Sequence, residues 1–127
     1  MKTVPQNDTC KILIVEDDPD LREALGEILR DEGYCVNGAS HGGEALALLR
    51  GESSRTTLIL LDLTMPVMNG WQFRAEQRLD PELSTIPVVV LSAGDRLAEQ
   101  LGPLGIRDYI GKPIQLPLLL QTIERYC

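Results

Sequence analysis

The sequence predicts an α/β fold in which a doubly wound, five-stranded parallel sheet carries helices on both faces. Three aliphatic runs are the main observation behind this prediction: Lys11–Val15, Thr57–Leu61 and Ile86–Leu91. Each run is almost continuously apolar, as are strands that are buried on both faces of a parallel sheet. Segments with helical periodicity follow the runs, so strands and helices alternate along the chain. The common strand order for such a sheet is 2-1-3-4-5.

The first half of the chain contains two strand–helix repeats. Strand Lys11–Val15 precedes a helix that begins near Pro19 and ends at Gly33. The apolar residues that share one face of this helix are Leu21, Leu25, Ile28 and Leu29. A weak strand over Tyr34–Asn37 and a helix over Gly43–Arg50 follow, before the second strong aliphatic run.

The third and fourth helices are the weakest of the predicted elements. In the third, Gly70–Leu79, Arg74 and Gln77 occupy positions where aliphatic side chains would be expected to face the sheet. Phe73 must therefore provide most of the packing of this helix. A short fourth helix is predicted over Asp95–Leu101, and the glycines and proline around it predict that it is poorly anchored.

The chain closes with a last strand over Arg107–Ile110 and a fifth helix. The apolar positions of that helix are Leu116, Leu119, Leu120 and Ile123. Leu118 lies off this stripe, so we expect it to be exposed and available to a partner.

Length and charge limit the kind of protein this is. The 127 residues fit one domain, with residues 1–10 as a short polar leader and residues 11–127 as the domain. The 12 Lys and Arg residues against 19 Asp and Glu give a net charge of −7, which argues against direct nucleic-acid binding. The polar N-terminus and the short apolar runs predict a cytoplasmic protein with no membrane segment.

The three cysteines are widely spaced, at Cys10, Cys35 and Cys127. They form no C-x-x-C or Cys/His pattern, and their number is odd. We therefore expect reduced thiols, with neither a zinc site nor a disulfide framework.

Polar residues follow the predicted strands at the points where each strand ends. Glu16 and Asp17 follow the first strand, Asp62 the third, Ser92 the fourth and Lys112 the fifth. The carboxyl ends of parallel strands meet at one edge of the sheet, where ligands usually bind. Clustered carboxylates favour a hard divalent cation, and a hydroxyl and an ammonium beside it suit phosphoryl oxygens. These residue types therefore predict phosphoryl transfer to or from a carboxylate.

Four segments resemble the receiver domain of bacterial response regulators. They are ILIVEDD (Ile12–Asp18), LILLDLTMPVMNG (Leu58–Gly70), VVVLSAGD (Val88–Asp95) and YIGKPI (Tyr109–Ile114). The resemblance runs from about Lys11 to the C-terminus and implies a flavodoxin-like fold with five helices.

The resemblance implies a phosphoacceptor and a metal site. Asp62 would accept the phosphoryl group. Mg²⁺, or Mn²⁺ in its place, would be bound directly by Asp17 and Asp62, through water by Glu16, and by the backbone carbonyl of Thr64.

The resemblance also implies a switch and its partners. Ser92 and Lys112 would hold phosphoryl oxygens, Tyr109 would be the aromatic switch residue, and Pro113 would follow a cis peptide bond. The phosphoryl donor would be a sensor histidine kinase or a histidine phosphotransfer protein. An unidentified output protein would bind the face formed by the fourth helix, fifth strand and fifth helix. The domain would be no metabolic enzyme, since it would catalyse only its own phosphorylation and dephosphorylation.

Several alternatives stay open on the sequence alone. Asp18 is expected to cap the first helix, and Tyr109 to be either the switch or an ordinary half-buried strand residue. A phosphatase of the haloacid dehalogenase type would need D-x-D-x-T/V, but Arg22 stands where that motif has a small residue. A receiver-like adaptor that is never phosphorylated would lack pocket residues that are all present here. The chain is either a stand-alone receiver or a piece of a larger regulator or hybrid kinase.

Overall fold

The computed structural model describes residues 10–51, 56–63, 67–92, 101–106 and 108–127. Five strands form one parallel sheet: β1 (Lys11–Val15), β2 (Cys35–Ala39), β3 (Leu58–Asp62), β4 (Val88–Ser92) and β5 (Asp108–Gly111). Four α-helices lie within the described residues: α1 (Pro19–Asp31), α2 (Gly42–Gly51), α3 (Gly70–Leu79) and α4 (Leu116–Glu124). The strand order is β2-β1-β3-β4-β5, so the predicted fold class and order are confirmed.

The predicted elements agree with the structure to within two residues at each end, with one exception. The helix predicted over Asp95–Leu101 lies outside the described residues apart from Leu101, and a 3₁₀ turn follows at Gly102–Leu104. Of the predicted leader, only Cys10 lies within the described residues.

The sheet separates two apolar layers. Both faces of β3 and β4 are buried at every position, which explains their continuous aliphatic sequences. The layer beneath α2 and α3 includes Leu13, Val15, Leu46, Leu61, Phe73 and Val90. The layer beneath α1 and α4 includes Ile12, Ile14, Leu25, Leu60, Leu119 and Ile123. Neighbouring residues of one strand thus pack in opposite layers, and the sheet holds its carboxyl edge rigidly in place.

The start of α3 is fixed against the end of β3. A Cβ atom on Gly70 would lie 2.6 Å from the Cα atom of Leu63 and 2.8 Å from the Asp62 carbonyl oxygen, so only glycine permits this approach. Asn69 and Gln72 form a capping box, in which the Asn69 side chain accepts from the Gln72 N–H at 2.9 Å and the Gln72 side chain accepts from the Asn69 N–H at 3.0 Å. Asp62 is therefore held between a buried strand and a capped helix.

The polar positions of α3 form a buried hydrogen-bond network. The Arg74 guanidinium donates to the Leu104 carbonyl at 2.9 Å and to Gln77 Oε1 at 2.8 Å. Gln77 Nε2 donates to the carbonyl oxygens of Leu83 and Ile86 at 2.9 and 3.1 Å. Burial lowers the pKa of Arg74, and the nearby charge of Arg78 adds to this effect. As predicted, Phe73 is fully buried, but Arg74 and Gln77 are buried as well because neighbouring carbonyl groups satisfy them.

Replacing Arg74 by methionine is expected to lower the free energy of unfolding by about 2–3 kcal/mol, because Gln77 Oε1 and the Leu104 carbonyl lose a charged donor. Arg78→Met is the matched control, since its exposed bond to the Pro103 carbonyl at 3.1 Å resembles that of Arg74. It should cost less than about 1 kcal/mol. Urea unfolding of both variants measures the difference, and equal losses would contradict a special role for the buried network.

The structure joins Cys10 and Cys127 in a disulfide, with Cα atoms 5.7 Å apart. The prediction of three reduced thiols is therefore wrong for this pair, whereas Cys35 is a reduced thiol, as expected, and is exposed. Cys10 immediately precedes β1, and the residues after α4 return to that end of the sheet. Asp108 at the start of β5 holds this return, since its carboxylate accepts from the Tyr126 hydroxyl and lies 3.4 Å from an Arg125 nitrogen. The two cysteines are 117 residues apart in the sequence, so no local pattern predicts that they lie close together.

No helix in the described ranges combines the length and the apolar character needed to cross a membrane.

Candidate functional site

The acidic residues predicted to cluster do meet at the carboxyl edge of the sheet. Glu16 and Asp17 directly follow β1, and Asp62 is the last residue of β3. Val15 pairs with Leu61 in the parallel register, which places the two strand ends side by side. Carboxylate oxygens of Glu16, Asp17 and Asp62 all lie within 4.8 Å of one another.

Lys112 brings a positive charge to this cluster from the loop after β5. Its Nζ atom lies 2.7 Å from Glu16 Oε1 and 3.8 Å from Asp62 Oδ2. The backbone N–H of Lys112 donates to the Ser92 carbonyl at 3.0 Å, which ties the loop to the end of β4. The peptide bond between Lys112 and Pro113 is cis, as the resemblance implies.

Burial differs among the three carboxylates in a way that suits a cation site. Glu16 and Asp62 are 1% and 5% exposed, whereas Asp17 is open to solvent. Three carboxylates face one ammonium, and oxygen donors are the ligands that Mg²⁺ prefers. Both oxygens of Glu16 already accept hydrogen bonds, Oε1 from Lys112 and Oε2 from the Asp18 N–H at 3.2 Å. Glu16 is therefore better suited to act on a cation through water than as a direct ligand.

Of the other predicted residues, Ser92 lies at the same edge and Tyr109 lies nearby on β5. Ser92 ends β4, is buried, and pairs with Gly111 two residues after Tyr109. Tyr109 itself is 48% exposed. Thr64 lies outside the described residues, so its predicted carbonyl ligand stays a prediction.

Asp18 caps α1, as the sequence predicts, and takes no part in the carboxylate cluster. Its Oδ1 atom accepts from the backbone N–H groups of Asp20 and Leu21 at 3.0 and 3.4 Å. The Asp18 carboxylate is thus engaged in holding the first turn of the helix.

Arg22 contacts this site although no sequence pattern predicted it. Its Nη1 atom donates to the backbone carbonyl of Glu16 at 2.6 Å, while the Glu16 N–H donates to the Ala39 carbonyl at 3.0 Å. An arginine in the first turns of an amphipathic helix carries no signal in sequence beyond its spacing, so only the structure reveals this contact.

A family model described as the response regulator receiver domain matches residues 12–124 of the chain. The chain belongs to the response regulator receiver family. Protein PilH of Pseudomonas aeruginosa is 36% identical over 116 residues, covering 90% of this chain and 94% of that relative. A protein of Leptolyngbya boryana named as an uncharacterized 14.6 kDa protein in the sodA1 3'region is 36% identical over 129 residues, covering 100% and 95% of the two chains.

Solved receiver structures share the fold. The chemotaxis protein CheY4 of Vibrio cholerae superposes with a TM-score of 0.84 at 29% identity, covering 93% of this chain and 98% of that one. The signal receiver domain of a signal transduction histidine kinase from Syntrophus aciditrophicus gives 0.81 at 33% identity, covering 92% and 89%. These likenesses support the receiver fold of this chain.

Proposed function

We propose that this receiver domain accepts a phosphoryl group on Asp62 from a sensor histidine kinase or a histidine phosphotransfer protein. One observation carries the proposal: the buried Asp62 carboxylate lies within 4.8 Å of two further carboxylates and 3.8 Å from the Lys112 ammonium. Such a constellation at the carboxyl edge of a receiver sheet suits phosphoryl transfer to a carboxylate.

In the proposed reaction an Asp62 carboxylate oxygen attacks the phosphorus atom. An O–P bond forms while the N–P bond to the donor histidine breaks, and the imidazole leaves with its bonding electron pair. The Lys112 ammonium and the Ser92 hydroxyl would bind phosphoryl oxygens as negative charge redistributes; the contact of Lys112 with Asp62 at 3.8 Å supports its part in this. Because Asp62 ends a fully buried strand, it needs little reorganisation to reach the attacking geometry.

The carboxylate cluster fits a divalent cation in composition and openness. Asp17 and Asp62 would bind it directly, Glu16 through water, and the Thr64 carbonyl is proposed as a further ligand. When bound, Mg²⁺ or Mn²⁺ supplies charge neutralisation for the phosphoryl oxygens.

We propose that the product is a changed surface and not a released metabolite. The domain catalyses only its own phosphorylation and dephosphorylation and acts on a protein partner. The half-exposed Tyr109 on β5, together with the exposed Leu116 and Leu118 on α4, supports an output face that includes these two elements. Tyr109 would report the state of Ser92 to that face.

The test is incubation with acetyl phosphate and MgCl₂, followed by mass spectrometry that locates the added phosphoryl group. The wild-type chain should be modified at Asp62 only when Mg²⁺ is present, and Asp62→Asn should not be modified. Asp18→Asn is the matched control. The substitution also removes one nearby carboxylate, but asparagine is an equally good helix cap. Modification of Asp62→Asn at the wild-type rate would contradict the proposal.

A further inference from the structure

A groove of about 350 Å³ lies between α1 and the outer strand β2, and two arginines of α1 line it. Each donates to a backbone carbonyl. Arg22 Nη1 lies 2.6 Å from the Glu16 oxygen, and Arg30 Nη2 lies 3.0 Å from the Val36 oxygen. The two contacts are alike in chemistry, but only the first is made to a residue of the carboxylate cluster.

Two glycines leave the space that these arginines occupy. A Cβ atom on Gly38 would lie 3.0 Å from Arg22 Cδ, and one on Gly26 would lie 3.2 Å from Arg30 Nη1. Both distances are tighter than ordinary van der Waals contact. The Arg22 side chain therefore passes directly over Gly38 on its way from α1 to the end of β1, and a side chain at Gly38 would crowd it.

The bond to Glu16 acts on the turn that carries two of the three carboxylates. The Glu16 N–H donates to the Ala39 carbonyl, and the Glu16 carbonyl accepts from Arg22, so the backbone is held on both sides of this residue. A charged donor makes the stronger kind of hydrogen bond to a carbonyl. With its backbone held, Glu16 places its buried side chain against Lys112 at 2.7 Å, and Asp17 is the next residue of the same turn.

We propose that Arg22 is a positioning residue of the cation site, acting through the Glu16 carbonyl in the space left by Gly38. The inference rests on the proposed function in one respect, namely that the carboxylate cluster binds Mg²⁺. Partners that orient metal ligands without binding the metal typically contribute about 10- to 100-fold to metal affinity.

The experiment measures the dissociation constant of Mg²⁺ for the unphosphorylated protein by calorimetry, with the stability of the metal-free protein measured in parallel. Arg22→Met should weaken Mg²⁺ binding by about 10-fold, and Arg22→Lys should restore part of it because lysine can still donate to the carbonyl. Gly38→Ala should weaken binding with Arg22 still present, since the new methyl group displaces its side chain.

Arg30→Met and Gly26→Ala are the matched controls in the same groove. Arg30→Met removes the equivalent bond to Val36, and Gly26→Ala crowds the end of the Arg30 side chain. Both variants should leave Mg²⁺ affinity unchanged, and Arg30→Met should lower stability by about as much as Arg22→Met does. Arg22→Met with wild-type affinity, or Arg30→Met with an equal loss of affinity, would overturn the positioning role. A wild-type protein that binds no Mg²⁺ would instead contradict the proposed function itself. If Arg22→Met does not fold, Gly38→Ala and Arg22→Lys decide the question by the same measurement.

Discussion

Replacing Lys112 by methionine is expected to destabilise the metal-free protein by about 3 kcal/mol, the lower end of the cost of unpairing a buried ion. Glu16 is 1% exposed and its contact with Lys112 is 2.7 Å long, so the variant leaves a buried carboxylate beside two others without its cation. The lower end applies because 24% of the Lys112 side chain is exposed. Urea unfolding in the presence of a chelator measures the loss.

Although Lys112→Met is less stable without metal, its affinity for Mg²⁺ is expected to be higher than that of the wild-type protein. Without the ammonium, no fixed positive charge competes for the carboxylates, so Mg²⁺ should bind more tightly and restore more stability than it adds to the wild-type protein. Phosphorylation by acetyl phosphate should nevertheless slow by about 100-fold, since the phosphoryl oxygens lose a charged partner. In this one variant, Mg²⁺ affinity is expected to rise while the rate of phosphorylation falls, so the two roles of Lys112 can be measured separately.

The matched control for Lys112→Met is Arg50→Met. Arg50 pairs with Asp80 at 3.5 Å, but half of its side chain is exposed, so its loss should cost less than about 1 kcal/mol. Mg²⁺ should affect this control no differently from wild type. Equal stabilities of Lys112→Met and wild-type protein in chelator would show that the cluster is not held together by Lys112.

Reducing the bond between Cys10 and Cys127 should lower the free energy of unfolding by about 4–5 kcal/mol, because the bond closes almost the entire chain and restricts the unfolded state. The bond spans 117 residues, and the loss of loop entropy grows with the length of the loop that is closed. Urea unfolding with and without dithiothreitol measures the difference, and Cys127→Ser should reproduce the reduced value in either condition.

Cys35→Ser is the control for the disulfide, since Cys35 is exposed and takes no part in the disulfide. That variant should lose stability on reduction as the wild type does. Titration with a thiol reagent should find one reactive thiol in the oxidised wild-type protein and three in the reduced protein. Wild-type stability that does not depend on the reductant would contradict the stabilising role of the bond.

The sequence predicts the sheet well for a physical reason. Strands buried on both faces must be continuously apolar, and a polar residue marks the point where such a strand reaches the sheet edge. Leu58–Leu61 therefore predicted the strand, and Asp62 directly after it predicted the position of the site. The cluster of Glu16, Asp17 and Lys112 follows because parallel topology brings strand ends together whatever their separation along the chain.

Other features depend on partners that no local pattern displays. Arg74 and Gln77 look like errors in an amphipathic helix until the carbonyls of Leu104, Leu83 and Ile86 satisfy them. The Arg22 contact involves Gly38 in strand β2, which lies far from Arg22 in the sequence. The disulfide forms because Cys10 and Cys127 meet at the same end of the sheet. Side chains that bind backbone groups leave no pairwise signal in residue types, because every residue has a carbonyl group.

The disulfide also determines how the domain can be handled. Cys10 and Cys127 meet at the amino edge of the sheet, whereas the carboxylates lie at the carboxyl edge, about 16 Å away along the five residues of β1. A fluorescent protein, an affinity handle or a solid support joined near either cysteine therefore attaches on the far side from Asp62. The domain can accordingly be immobilised or built into a reporter with its reactive edge facing the solution.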